Sequence, residues 1–194
     1  MQPMARRMAF TGITAAALLT IASMLFAAAK SKVIFEAEDG TIVTKQSFRV
    51  QKSPEDAGTK ASGGKVMAIP KAPLGEKVKP DQVTYKVNIP ADGFYVLWGR
   101  TYWTTGCGNS FSVKVEGYND AVWTLGGDAT YDVLHWVCLK DGDTPRKLKL
   151  RKGVVTITLV AKEPGVRADE FILTTDAETL PAGVYKPTPG ALAK

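Results

Sequence analysis

From Lys32 onward the chain is a succession of short runs rich in β-branched and aromatic residues, separated by Gly, Pro, Asn and Asp. The runs are "KVIFEAE", "TIVTK", "SFRVQ", "KVMAIP", "VTYKVNIP", "GFYVLWGRTYW", "SFSVKVEG", "LHWVCL", "RKLKLRKG", "VVTITLVAK" and "EFILTT". Each has the length of a strand, and helical periodicity is nearly absent. "PADG" (90–93) and "GYND" (117–120) read as turns, because Pro presets φ while Gly and Asn tolerate positive φ. Many strands without intervening helices predict an all-β, antiparallel β-sandwich, with a jelly roll as the specific expectation. "SPEDAGTKASGGK" (53–65) is a polar loop, and "TTGCGN" (104–109) is a Gly-rich loop between two strong strands.

The first 29 residues follow a different rule. Arg6 and Arg7 precede the uncharged stretch "AFTGITAAALLTIASMLFAAA", which ends in small residues at Ala27-Ala28-Ala29. That is the layout of a cleaved secretory signal, with an uncleaved anchor as the alternative. The expected organisation is a signal over 1–29, a sandwich domain over 30–178 and a Pro-rich extended tail over 179–194. The protein is expected to be secreted or periplasmic, free of the membrane once the signal is removed. The formal net charge is +6, of which Arg6 and Arg7 contribute two, and the charges are mixed along the chain. Nucleic acid is therefore a poor partner for such a protein; a mildly basic surface would suit acidic glycans or anionic envelopes, with an ordinary solvated surface as the better explanation.

Two cysteines follow the signal, Cys107 and Cys138. In an oxidising compartment they either close a loop that stabilises by about 3–4 kcal/mol on the chain-entropy model, or remain two thiols. His135 is the only histidine. Alternation puts it on the face of Val133, Val137 and Leu139, which suits a partly buried ring better than a catalytic base. Zinc is poorly served by one His and two Cys. No serine sits in a nucleophile elbow.

Paired carboxylates remain. In an extended chain, Glu36 and Glu38 of "FEAEDG" would lie on one face, two residues apart. A glycosidase needs its pair across a cleft rather than side by side. A hard cation such as Ca²⁺ would relieve the repulsion, and a solvated strand face is the alternative.

At this point "VIFEAEDGTI", "ASGGKVM", "VNIPADGFYVLWGRTYW", "NSFSVKVEG", "LHWVCL" and "KGVVTITLVAKEPGVRADEFILTTD" form a series. In order and spacing it resembles the carbohydrate-binding modules of families 6 and 35, in the galactose-binding-like jelly-roll group. The resemblance runs from Val33 to Asp176. It implies a structural calcium held by Glu36, Glu38 and Asp169, joining the two ends of the domain. It also implies a sugar site in loops at one edge of the sandwich. By position that site would use Trp103, Asn109, Asp128, Tyr131, Glu163 and Arg167. Many relatives carry Asn two residues before the final Asp, where this chain has Arg167, a residue that suits a carboxylate.

Trp103, beside the Gly-rich loop, is the expected stacking platform, standing proud of the edge. Trp136 reads as core, and Trp123 and Tyr118 flank a turn. The expected function is non-catalytic binding of a polysaccharide or glycan, alone or beside an enzyme or envelope-protein partner. The alternative is a structural or adhesive envelope protein that uses the same fold to bind protein.

Overall fold

A computed structural model describes residues 30–53, 60–73, 76–126 and 130–194. The 1–29 segment, on which the signal reading rests, and Asp128 lie outside the described residues. The first strands are β1 (Lys32–Glu36), β2 (Thr41–Ile42), β3 (Arg49–Lys52), β4 (Lys65–Ala68) and β5 (Gln82–Ile89). The middle of the chain forms β6 (Gly93–Tyr102), β7 (Ser110–Val115), β8 (Ala121–Thr124) and β9 (His135–Cys138). The last strands are β10 (Lys140–Asp141), β11 (Thr144–Pro145), β12 (Leu148–Leu150), β13 (Gly153–Val160) and β14 (Arg167–Thr174).

Two antiparallel sheets face one another. One is five-stranded, in the order β2-β5-β13-β7-β8. The other is seven-stranded, in the order β12-β6-β14-β4-β3, with β1 added to β14 and β9 to β6. Strand alternation sends Tyr95, Leu97 and Trp103 of β6 and its exit inward, against Phe35, Phe111, Trp123 and Phe171. The outer face of the seven-stranded sheet is covered as well, except at its β12 edge. Trp98, Ile172, Ile34 and Cys138 form one outer cluster, and Tyr102, Ala68 and Leu134 form another. From Tyr95 to Tyr102 both alternating sets of β6 are therefore buried, because the inward set meets the second sheet and the outward set meets loops.

β14 is the hub of the larger sheet. It pairs with β6 along one edge; along the other it pairs with β4 at Arg167 and Ala168 and with β1 from Glu170 to Thr174. A bulge interrupts the β6 register between Ala168 and Glu170. One extra residue there resets the alternation. Asp169 and Glu170 both end up fully buried opposite Arg100, and Phe171 and Leu173 return to the inner core.

The C-terminal segment is extended, as its prolines suggest, and it is docked. Thr188 donates its N–H to the Ile34 carbonyl (2.9 Å) and accepts the Ile34 N–H (3.0 Å). Farther on, Ala193 donates to the Lys86 carbonyl and Asn88 to the Ala191 carbonyl, both at 2.8 Å. The segment thus straps β1 of one sheet to β5 of the other. On the way, the Trp136 Nε1–H donates to the Gly183 carbonyl (2.9 Å), so Trp136 is half-buried under the strap rather than in the inner core.

Two expectations are corrected here and one open alternative is decided. First, β1 stops at Glu36, and Ala37–Asp39 form a single 3-10 turn. Glu36 and Glu38 are therefore not alternate residues of one strand. The chain must leave β1 in one sheet and enter β2 in the other, and the turn makes that crossing. It passes close enough that a Cβ at Gly40 would lie 2.4 Å from Val83. Second, Cys107 and Cys138 are both free. Cys107 is exposed on its loop, while Cys138 is buried on the outer face of the larger sheet, where burial pushes its thiol up to about 11. Third, Trp103 is only 1% exposed and belongs to the inner core. Its ring tucks under the backbone at Gly126, where a Cβ would come within 2.1 Å of the indole.

Candidate functional site

Two groups of the expected residues can be placed. The first is a carboxylate cluster where β1, β14 and the turn before β4 meet. Ser62 organises it. Its backbone N–H donates to Asp169 Oδ1 (2.9 Å), and its hydroxyl sits between Glu36 Oε2 and Asp169 Oδ1 (3.1 Å). Arg100 closes the other side: Nη1 pairs with Asp169 Oδ2 and also donates to the Lys60 carbonyl (3.1 Å). Gly63 lies against Glu38, whose Oε1 would be 2.7 Å from a Cβ there. Glu38 Oε2 is buried without a hydrogen-bond partner.

Burial first, then repulsion from Glu36 and Asp169, pushes the Glu38 carboxyl up to about 7. Glu170 is likewise pushed up to about 7 by burial and by Asp169 and Glu36. Among the described residues no three His, Cys, Asp or Glu side chains converge on one ligating point. The residues nevertheless fit calcium in chemistry. The donors are all hard oxygens, several negative charges share one buried corner, and one carboxylate oxygen lacks any partner.

The second group lies at the pole where β6 ends and β14 begins. Here the Gly-rich loop is a compact turn, with the Gly108 N–H donating to the Thr105 carbonyl (3.0 Å). Glu163 clamps its far side. Oε2 accepts the Asn109 N–H (2.9 Å) and the Ser110 hydroxyl (2.8 Å), while Oε1 pairs with Lys162 (3.0 Å). Burial disfavours that charge, but these donors outweigh it and hold the carboxyl below its usual range. Glu163 is thus engaged by the fold itself. Asn109 spends its backbone N–H on Glu163, and its side-chain amide reaches the Gly126 carbonyl at 3.4 Å.

Tyr131 is the exposed ring at this pole, at 44%. It stands edge-on to Trp103, with ring centroids 6.3 Å apart. Beneath it, Asp132 takes a positive φ of 58° and donates its N–H to the Trp103 carbonyl (3.0 Å), which turns the chain outward. Asp132 also accepts the Tyr102 hydroxyl (2.9 Å). Arg167 lies over the Tyr102 ring, 4.4 Å from its centroid, and its Nη1 is buried without a hydrogen-bond partner. His135 packs its ring 4.3 Å from that of Trp103, and its Nδ1 meets the Val133 carbonyl at 3.0 Å. Its position is that of a packed histidine. Arg100 and Ser62 are not evident from the sequence. Their only sequence signals are an arginine in an otherwise apolar strand and a serine before Gly-Gly.

Compared by sequence, the chain matches no family profile and no characterised protein. Compared by structure, it matches solved carbohydrate-binding modules. A family 35 module from Clostridium thermocellum aligns with a TM-score of 0.51 at 18% identity, covering 74% of this chain and 97% of the module. The C-terminal family 6 module of a marine laminarinase from Zobellia galactanivorans gives 0.51 at 13% identity, over 74% and 99%. The fold is of the family 6 and family 35 type. A Podospora anserina β-(1,4)-mannanase carrying a family 35 module aligns with a TM-score of 0.50 at 16% identity. That match covers 80% of this chain, which spans only 29% of the enzyme's length.

Proposed function

We propose that this protein binds carbohydrate without catalysis, as an exported, calcium-stabilised β-sandwich, and that the sugar docks at the pole around Tyr131. The observation that carries the reading is the exposed Tyr131 ring backed by a buried Trp103, at the pole where the half-buried Arg167 guanidinium lies over Tyr102. An amphipathic ring held on a rigid support suits the apolar face of a pyranose. A guanidinium suits a uronate carboxylate better than a neutral sugar hydroxyl. The modular fold supports the same reading.

Calcium, held by Glu36 and Glu38 with Asp169 as the third carboxylate, would supply the missing partner of Glu38. It would act in stability rather than chemistry. Enzymes or envelope proteins are proposed as neighbours.

The test is binding of neutral and acidic oligosaccharides by Tyr131→Ala and Arg167→Ala. Loss of the stacking ring should weaken both ligand classes by about tenfold, an aromatic contact of roughly 1 kcal/mol or more. Arg167→Ala should weaken the acidic class more than the neutral one. Wild-type protein that ignores a broad glycan array, yet retains proteins from an envelope extract, would sink the reading in favour of an adhesive role.

A further inference from the structure

At the far end of β6 from Trp103 lies a feature that the loop pole does not use. The segment Arg146–Lys152 reads RKLKLRK, five cations in seven residues with no acid, and it departs from the mixed charge of the rest of the chain. Its centre is β12, an edge strand of the larger sheet. Leu148 and Leu150 face the core at 0% and 3% exposure, so alternation sets Lys147, Lys149 and Arg151 together on the outer face. Their spacing along the strand is about 7 Å.

Arg146 pairs with Asp141, but among the described residues Lys147, Lys149, Arg151 and Lys152 take part in no ion pair. Directly opposite Lys149 in register is Phe94, 61% exposed. Lysines on an edge strand often serve to prevent pairing with another chain. That duty is already discharged at Lys149. Its backbone N–H donates to the Tyr118 hydroxyl, and that hydroxyl also reaches its carbonyl (3.3 Å).

We propose that this strip is a second binding surface, for a linear acidic polysaccharide bearing carboxylate or sulfate groups. The arrangement is a row one residue wide rather than a broad patch. Evenly spaced point charges suit an anion repeated along an extended chain, and Phe94 offers a flat apolar face to a sugar ring between two anions. Phe94, opposite Lys149, lies eight residues along β6 from Tyr102, about 26 Å, so the two surfaces do not overlap. The inference is independent of the Tyr131 site, although it shares the carbohydrate-binding reading.

The experiment measures binding of the full exported chain to polygalacturonate and to neutral laminarin over a salt series. The triple variant K147Q/K149Q/R151Q and Tyr131→Ala are measured alongside. The triple variant should bind polygalacturonate about tenfold more weakly, with a shallower salt dependence, since exposed charge contacts are individually small and screened. Its binding to laminarin should be unchanged. Wild-type affinity for polygalacturonate in the triple variant overturns the proposal. So does equal affinity of the wild type for phosphatidylserine vesicles or duplex DNA, because the strip would then read charge alone. Laminarin binding that depends on Tyr131, with no binding to polygalacturonate, refutes the strip and leaves the loop pole standing. Polygalacturonate binding that depends on the strip, with no effect of Tyr131→Ala on either ligand, refutes the loop pole and leaves the strip.

Discussion

At the scale of single residues, the site turns on which aromatic ring faces water. The sequence places both Trp103 and Tyr131 beside loops, and only one can serve as platform. Alternation from Leu97 sends Trp103 inward, and that much was readable. What decides its burial is Gly126, a residue 23 positions away whose missing side chain makes room for the indole. No local pattern announces such a long-range fit. Trp103→Ala should therefore destabilise the fold by about 3–5 kcal/mol, as removal of a buried aromatic does. Gly126→Ala should cost about 1–3 kcal/mol by forcing the ring aside. Tyr131→Ala should leave denaturant melts nearly unchanged, as expected of an exposed ring. A Trp103→Ala protein as stable as wild type would mean that the ring is not packed as described.

Elements were more legible than contacts. All eleven runs picked out in the sequence contain a strand, because β-branched alternation is a local signal. β8 (Ala121–Thr124), with its buried Trp123, and the short β10–β11 hairpin fall outside those runs; the hairpin strands are two residues each and are defined by the turn at Gly142, φ 60°. Equally hidden was the way the long 43–48 turn is held. Asp81, at the start of β5, accepts the N–H groups of Ser47 and Phe48 (both 2.9 Å) and of Thr44 (3.1 Å), and the Thr44 hydroxyl (2.8 Å). Burial opposes the charge, but these donors outweigh it and hold the Asp81 carboxyl well below the usual carboxylate range. A depressed carboxylate stabilises the fold above its unfolded pKa of about 3.9, and that stability is lost as pH falls below it. Asp81→Asn should accordingly lower stability by about 3 kcal/mol at neutral pH, since buried donors lose their charged acceptor. It should also flatten the acid limb of a stability profile measured below about pH 4. An acid limb as steep in Asp81→Asn as in wild type would assign acid sensitivity to other carboxylates.

For the molecule as a whole, the question is what joins its two ends. β1 and β14 pair from Lys32↔Thr174 to Glu36↔Glu170, so the first and last strands of the sandwich are neighbours. At the Glu36 end of that seam sit four acidic side chains, Glu36, Glu38, Asp169 and Glu170, against one buried cation, Arg100. Glu36, Glu38 and Asp169 could be named from the sequence through the family resemblance. The bulge that brings in Glu170 could not, because it appears only when β14 is laid against β6. One guanidinium cannot neutralise four carboxylates. The remainder either take up protons, as the raised Glu38 and Glu170 values indicate, or share a divalent ion. An ion that binds only the folded form at 100 times its Kd adds about 2.7 kcal/mol. For a domain of this size that corresponds to roughly 5–10 °C in Tm. Chelation should lower the Tm by about that amount, added Ca²⁺ should restore it, and magnesium should restore less, because it demands a tighter octahedral shell. Glu38→Gln should abolish the response to calcium while retaining the fold. A wild-type Tm indifferent to chelator, with no metal by elemental analysis, would leave Arg100 and protonation as the whole of what neutralises the seam.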